Sequence, residues 1–413
     1  MVKTKVDESM IHGNVASGFE EVEAEFKKNF TERGELGAAC AVYHKGKKVV
    51  NLWGGYADEQ TRTAWEEDTL VLVFSTTKGI SAMTMVVAHS QGLFNLDEPV
   101  AKYWQEFGQS DKKSITVRQL LTHQAGLSAV DEPMNAQKLA DLDFVAAAIA
   151  KQKPAWKPGT KHGYHGLSLG WYQNELIRRV DPQRRSLGKF FQDEIAKPLG
   201  IEFYIGLPVH IPAERIAIIK GFHPLQMLLH MDKIPMGMVL SLLMPNSLVK
   251  RSLMNPKMRA PTDIGNSQYR AVEFPSANGI GQAHAIARAY GVFANGGGEL
   301  NISPETMAEL TAPATMPPFG LRDEILKVET AYAFGFMKPT SCFLNGTSKR
   351  GFGAAGSGGS IGFADPDEQI GFSYVMNKMG FDLFDDPREK ALRDACYKCL
   401  KKLRSQSAAQ GAG

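Results

Sequence analysis

Four cysteines in 413 residues, Cys40, Cys342, Cys396 and Cys399, are too few for the disulfide framework of a small secreted domain. Cys396 and Cys399 have the spacing of a redox or metal pair, but no second pair accompanies them, so they read as ordinary helix cysteines. An excess of one charge is also lacking: 47 Lys and Arg stand against 44 Asp and Glu, a net +3. The signs are mixed along the chain, which gives no cationic stripe for a phosphate backbone, and nucleic acid is not an expected partner. No apolar run reaches the roughly 20 residues of a membrane span; the richest late stretch, Ile234 to Met244, follows Asp232-Lys233. Met1 to Asn14 lacks the apolar core of a signal peptide. These absences together lead to an expected reducing, cytoplasmic setting, with the acceptor patterns at Asn29, Asn301 and Asn345 unused. His-Glu-x-x-His, a Walker lysine and a dinucleotide Gly-x-Gly-x-x-Gly are missing too, so no metal and no cofactor is expected.

What is present centres on Val73-Phe74-Ser75-Thr76-Thr77-Lys78-Gly79, which opens a run to Ser90 without a charged residue other than a protonated His89. Ile80, Met83, Met85, Val86, Val87 and Ala88 cover most of a helical circumference, as in a helix buried on all sides. Residues three apart share a helix face, so the Ser75 hydroxyl and Lys78 amine stand side by side near the positive end of the macrodipole. A desolvated amine is a better base, and such a pair is a way to make a nucleophile. The spacing alone is weak, since Ser110 to Lys113, Ser186 to Lys189 and Ser247 to Lys250 repeat it. Only the first of the four opens an uncharged helix.

Around this stretch the elements follow from periodicity. Ser17 to Phe30 is an amphipathic helix, and Ala38 to Tyr43 with Lys48 to Trp53 make a hairpin across His44-Lys45-Gly46-Lys47. Thr116 caps a short helix to His123; Asp141 to Lys153 and Gly166 to Val180 are two more. Residues 276–281 precede a helix through Phe293. Ser360 to Ala364 and Ile370 to Met376 are strands, Pro387 to Leu403 is a closing helix, and Ser405 to Gly413 is expected to be a disordered tail. The segment 222–245 is rich in methionine, with Met227, Met231, Met236, Met238 and Met244, and reads either as core or as a flexible wall over an apolar pocket. Strands at both ends and helices between them predict an α+β fold: residues 1–70 with 271–413 as a sheet flanked by helices, and 71–270 as a mostly helical region.

Two other stretches can complete a site. Trp156-Lys157-Pro158-Gly159 leads to Tyr164 on a loop stiffened by proline; beside a lysine, a phenol loses its proton more easily and can serve as a general base. By itself, the local sequence favours reading Tyr164 as a loop tyrosine with a satisfied hydroxyl. The glycine-rich run from Gly351 to Ser360 offers amide N–H groups at a strand edge to a developing oxyanion. His123 and His165 have no partner at metal-ligand spacing; His123 reads as structural, and His165 as lining the pocket mouth.

Taken together, Ser75-Thr76-Thr77-Lys78, the Trp156 to Tyr164 loop, Leu120-Leu121-Thr122-His123-Gln124-Ala125-Gly126-Leu127 and the glycine-rich strand resemble the serine β-lactamase and penicillin-binding-protein superfamily. The nearest likeness is its class C-like branch with the β-lactamase-related carboxylesterases of family VIII type, over residues 17–400. The resemblance implies a β-lactamase/transpeptidase-like fold, acylation of Ser75, a proton relay at Lys78 and Tyr164 as base. It implies an oxyanion hole from the backbone N–H groups of Ser75 and Ser357, with Gly356, Gly358 and His165 beside the substrate. Two positions depart from the pattern: Gly166 replaces an asparagine, and Ala354 replaces the Lys or His that anchors an anionic substrate. Lys349 and Arg350 lie upstream as substitutes. The expected activity is hydrolysis of small carboxylic esters through an acyl-enzyme. An acyltransferase or a β-lactamase would use the same residues, and a catalytically idle scaffold would keep the fold.

Overall fold

Alternating and branched apolar residues near both chain ends build one antiparallel sheet. A computed structural model of the chain describes residues 6–222, 230–343, 346 and 348–411. In chain order the elements that shape the site are β1 (Ile11–Val15), α1 (Glu20–Thr31), β2 (Gly37–His44), β3 (Lys47–Asp58), β4 (Thr63–Ala64), β5 (Val71–Leu72) and α2 (Thr77–Ser90). There follow α3 (Ser168–Val180), β6 (Phe203–Tyr204), α4 (Met236–Leu243), β7 (Ile280–Gly281), α5 (Ala283–Ala294), β8 (Tyr332–Ala333) and β9 (Phe336–Met337). β10 (Phe352–Ala355), β11 (Ile361–Asp365), β12 (Ile370–Met376) and α6 (Pro387–Gly411) complete the chain. The large sheet runs β1-β3-β2-β12-β11-β10-β9-β8, with β4 beside β3. Its seam is β2 against β12, Ala38 opposite Met376 through His44 opposite Ile370, which joins the two ends of the chain.

The hairpin β2–β3 turns on Lys45 and Gly46, both at positive φ. α1 and α6 cover one face of the sheet, where Val22 and Phe26 meet Leu392, Cys396 and Leu400 over Phe363 and Phe372. α5 covers the other face, and beyond it α2 lies in a continuous core that draws residues from Ala41 to Met379. That core crosses both boundaries expected near residues 70 and 270. The expected helices are present with caps where side-chain oxygens stand: Thr116 in a capping box with Gln119, Asp141 ahead of Leu142–Lys151. At the C-terminus, the expected tail from Ser405 is instead helix to Gly411, because the residues after Leu403 include no breaker before Gly411 and Ser405 Oγ donates to Lys401 O at 3.0 Å. Among the described residues no helix is long and apolar enough to cross a membrane.

The approach of α5 to the sheet is set by glycine. A Cβ on Gly371 of β12 would overlap the backbone of Ala287 and Gly291. Gly371→Ala is therefore expected to push α5 off the sheet and to cost about 1 to 3 kcal/mol, read as a lower midpoint in denaturant unfolding; an unchanged midpoint would show that the helix seats independently of this contact.

Candidate active site

The turn into α2 is strained. Phe74 has φ 46°, a left-handed conformation for a non-glycine residue that costs about 1 to 3 kcal/mol and persists only where its surroundings hold it. Here Thr77 Oγ1 donates to Phe74 O at 2.5 Å, Val73 N–H donates to Gly279 O at 2.9 Å and Ser360 Oγ donates to Val73 O at 2.8 Å. Ser75 thereby faces a cavity while its neighbours Phe74, Thr76 and Lys78 are buried.

Lys78 Nζ lies 3.1 Å from Ser75 Oγ and 2.8 Å from the carbonyl oxygen of Ser276. Among the described residues no carboxylate balances it, and burial drives its pKa well below the usual lysine value. Tyr164 shares a hydrogen bond with Ser75, and its ring lies 4.7 Å from Lys78 Nζ. Burial pushes the Tyr164 phenol up, the Ser75 hydrogen bond opposes this, and Asp323 adds to the rise. The two groups are thus shifted in opposite directions, the amine toward neutrality and the phenol toward staying protonated.

Ser75, Tyr164, Ala355, Gly356, Ser357 and Gly358 line one cavity of about 750 Å³, part of it open to solvent. Among the described residues neither the Ser75 nor the Ser357 amide N–H is taken by a backbone carbonyl. The opposite wall is apolar: Phe222, Ile234, Met238, Leu326, Met337, Phe381, Leu383 and Phe384. Ile234 and Met238 support the wall reading of the methionine-rich segment, whose Met227 lies outside the described residues.

His165 is not on this wall. It is fully buried behind Tyr164, where Leu127 N–H donates to Nε2 at 2.9 Å and Nδ1 bonds Gly163 O at 2.6 Å. With both ring nitrogens on backbone and its pKa held down to about 4 by burial, it is a neutral strut, since adjacent loop residues point to opposite sides and Tyr164 takes the pocket side. The backbone N–H of His165 donates to His123 Nδ1 at 2.9 Å. The three other Ser-x-x-Lys repeats are resolved by the same geometry: Ser186 and Ser247 are N-caps that accept from the N–H of Lys189 and Lys250, and Ser110 bonds Lys151 O.

Two residues outside the sequence motifs hold the site. Asp323, fully buried, accepts from the N–H groups of Tyr164 (3.0 Å), Ile325 (2.8 Å) and Leu326 (2.9 Å) and from the hydroxyls of Thr330 and Tyr332. Arg388 donates to Gly358 O and to Lys378 O, both at 2.8 Å, from within a buried cluster with Glu35 and Asp386. Nothing in the local sequence around either marks it; each is 30 or more residues from the group it orients.

A family model for the Beta-lactamase family matches residues 19–396. The chain belongs to that family. It is 33% identical over 362 residues to the esterase/β-lactamase LipL of Mycobacterium tuberculosis, covering 86% of this chain and 80% of that protein. Among solved structures it is similar to a family VIII carboxylesterase, at 35% identity and TM-score 0.83, covering 94% of this chain and 99% of the other. A penicillin-binding protein homologue from Caulobacter crescentus is similar at 34% identity and TM-score 0.81, with coverage of 94% and 99%. The chain is a serine hydrolase of the β-lactamase fold.

Within this family the departures have structural causes. A Cβ at Gly166 would come within 2.9 Å of Leu253, so an apolar side chain occupies the ground that a polar one would need. Ala354 is buried and its methyl faces Gly79, beneath the pocket floor. Arg350 does not replace the missing cation: it pairs with Asp367 at 2.9 Å, and neither it nor Lys349 lines the cavity. The cavity wall carries no Lys, Arg or His among the described residues, and one acid, Asp382.

The buried amine has a testable thermodynamic sign. Because the folded pKa of Lys78 is lowered, its penalty is absent above the ordinary lysine value of about 10.4 and grows as pH falls from there toward the lowered one. Lys78→Met removes that penalty, so the variant's stability relative to the parent should rise as pH is lowered from about 10 toward neutrality. Denaturant unfolding across that range checks this; parallel stability curves would mean that the amine is not desolvated.

Proposed function

We propose that the chain hydrolyses neutral carboxylic esters with apolar acyl groups through an acyl-enzyme on Ser75. The observation that carries this is the convergence of Ser75, Lys78 and Tyr164 on a cavity whose wall is apolar and free of cations among the described residues. An anionic antibiotic or peptide carboxylate would find no cationic side chain among the described lining residues, whose one acid, Asp382, already holds Lys233 at 3.2 Å.

Lys78, shifted toward its neutral form, takes the Ser75 proton across 3.1 Å while Oγ attacks the ester carbonyl carbon. The carbonyl oxygen gains the electron pair and rests on the N–H groups of Ser75 and Ser357, each such donor being worth about 3 kcal/mol. As the tetrahedral intermediate collapses, the alcohol leaves with the phenolic proton of Tyr164, and the Lys78 ammonium restores the phenol. Water then attacks the acyl carbon, gives its proton to the same amine, and the Ser75 Oγ leaves with that proton. This assigns proton acceptance to Lys78 and proton delivery to Tyr164, the order favoured by their opposite pKa shifts. The family resemblance had given the base's part to Tyr164.

A fluorophosphonate probe should add its mass less hydrogen fluoride once to the parent, as fluoride leaves phosphorus, and nothing to Ser75→Ala, and Ser75→Ala should lower kcat/KM for p-nitrophenyl esters by about a thousandfold or more. Within an ester series, kcat/KM should rise from acetate to hexanoate, with a chromogenic cephalosporin turned over far more slowly. Absence of probe labelling would leave a scaffold without chemistry, and faster cephalosporin turnover would make the site a β-lactamase.

Asp323→Asn keeps the side chain's volume but removes the acceptor of the Tyr164 N–H or of its companions. Loss of alignment at the phenol is expected to lower kcat about ten- to a hundredfold with little change in KM. A parallel rise in KM would instead point to damage at Leu326 on the pocket wall.

A further inference from the structure

α4 is apolar on the side that the protein leaves bare. Met236, Leu240, Leu243 and Met244 are 69%, 56%, 73% and 61% exposed, and their spacing of four, three and one places them along a single stripe. Its other side is engaged: Val239 is buried, and Met238 reaches the cavity wall. A helix that faces water normally carries polar residues there, yet the one polar side chain of α4, Ser241, donates back to Gly237 O at 2.7 Å. Contiguous exposed apolar stripes mark surfaces that meet something other than water.

The segment that carries the stripe is also basic, and α4 packs against the helix Leu248–Leu253, which bears Lys250 and Arg251. From Lys233 to Thr262 the chain holds five cations, Lys233, Lys250, Arg251, Lys257 and Arg259, and no Asp or Glu. Acids from elsewhere reach two of them: Asp382 pairs with Lys233 at 3.2 Å and Asp131 pairs with Arg251. Among the described residues Lys250, Lys257 and Arg259 form no ion pair, and Lys257 and Arg259 are exposed. A second copy of the chain is a poor fit, because a two-fold contact would set these cations against themselves.

We infer that α4 with its flanking cations is a docking face for an anionic phospholipid surface, the apolar stripe entering the acyl boundary and the cations meeting headgroup phosphates. An amphipathic helix with a basic border binds membranes in this way, reversibly when it is short. Ile234 and Met238 belong to the same segment and line the cavity beside Ser75, so a docked α4 holds the cavity next to the lipid layer. The catalytic value of that placement rests on the esterase reading; the binding itself does not.

Sedimentation of the full chain with vesicles of equal parts phosphatidylcholine and phosphatidylglycerol tests it. The parent and Ser75→Ala should bind alike, high salt should release both, and vesicles of phosphatidylcholine alone should bind less. Leu240→Ser with Leu243→Ser, and separately Lys250→Glu with Lys257→Glu and Arg259→Glu, should each reduce the bound fraction about tenfold. Turnover of p-nitrophenyl acetate should stay unchanged in both variants, since none of the five residues lines the cavity. The proposal falls if the parent stays in solution with the mixed vesicles, or if either variant binds as well as the parent. It also falls if light scattering shows a dimer that the serine variant separates, which would assign the stripe to a contact between copies.

Discussion

An amine without a counter-charge, enclosed by protein, is the constraint on which the rest of this structure depends. Lys78 is satisfied by two oxygens, Ser75 Oγ and Ser276 O, and among the described residues by nothing ionic. Desolvating a cation is expensive, and the group responds by shifting toward its neutral form, which is also the form able to accept a proton. Enclosure in turn requires close approach on every side. Gly79 admits the Tyr290 ring where any Cβ would overlap the phenol oxygen, and Gly356 lies against Val73 O in the same manner. Thr77 Oγ1 accepts from Gly279 N–H at 2.8 Å while donating to Phe74 O, tying the strained turn to β7.

Around that centre, two buried anionic or cationic hubs convert distant parts of the chain into one frame. Asp323 gathers the Tyr164 loop and the Leu326 wall, and stacked tyrosines at 164 and 332 lie between it and His123. Arg388, at the start of α6, holds the glycine loop through Gly358 O and meets Glu35 from the segment between α1 and β2. Removing one partner of such a buried cluster leaves an uncompensated charge, so the loop bearing the Ser357 amide is tied through Gly358 O to a cluster that tolerates little change. The pairing of β2 with β12 brings these two chain ends together and makes the cluster available.

The pocket expresses what the two departures from the family pattern mean. With Leu253 beside Gly166 and a methyl at position 354, polar anchors for a charged substrate are replaced by apolar surface. Phe381, Leu383 and Phe384 follow the end of β12 and close the wall opposite Met238. Binding energy in such a cavity comes from burial of apolar ligand surface at about 25 cal/mol per Å², and orientation comes from the few hydrogen-bonding groups that line it.

Much of this was legible in the residues. Hydrophobic period and turn chemistry give α1, the hairpin, α2 and the last two strands to within a few positions, because each is dictated by neighbours in sequence. The Ser75–Lys78 pair is equally local, three residues apart on one helical turn. His165 was misplaced because a loop residue's side cannot be read without its partners, and the helical end at Gly411 because a polar composition does not by itself break a helix. Asp323, Arg388 and the Phe381 to Phe384 wall left no signal at all. Helical geometry and composition were enough to set Ser75 beside Lys78 and to outline the elements that carry them, since residues three apart share one turn. How each proton is held emerged with the folded chain, because the lowered Lys78 and raised Tyr164 pKa values both depend on burial by segments distant in sequence.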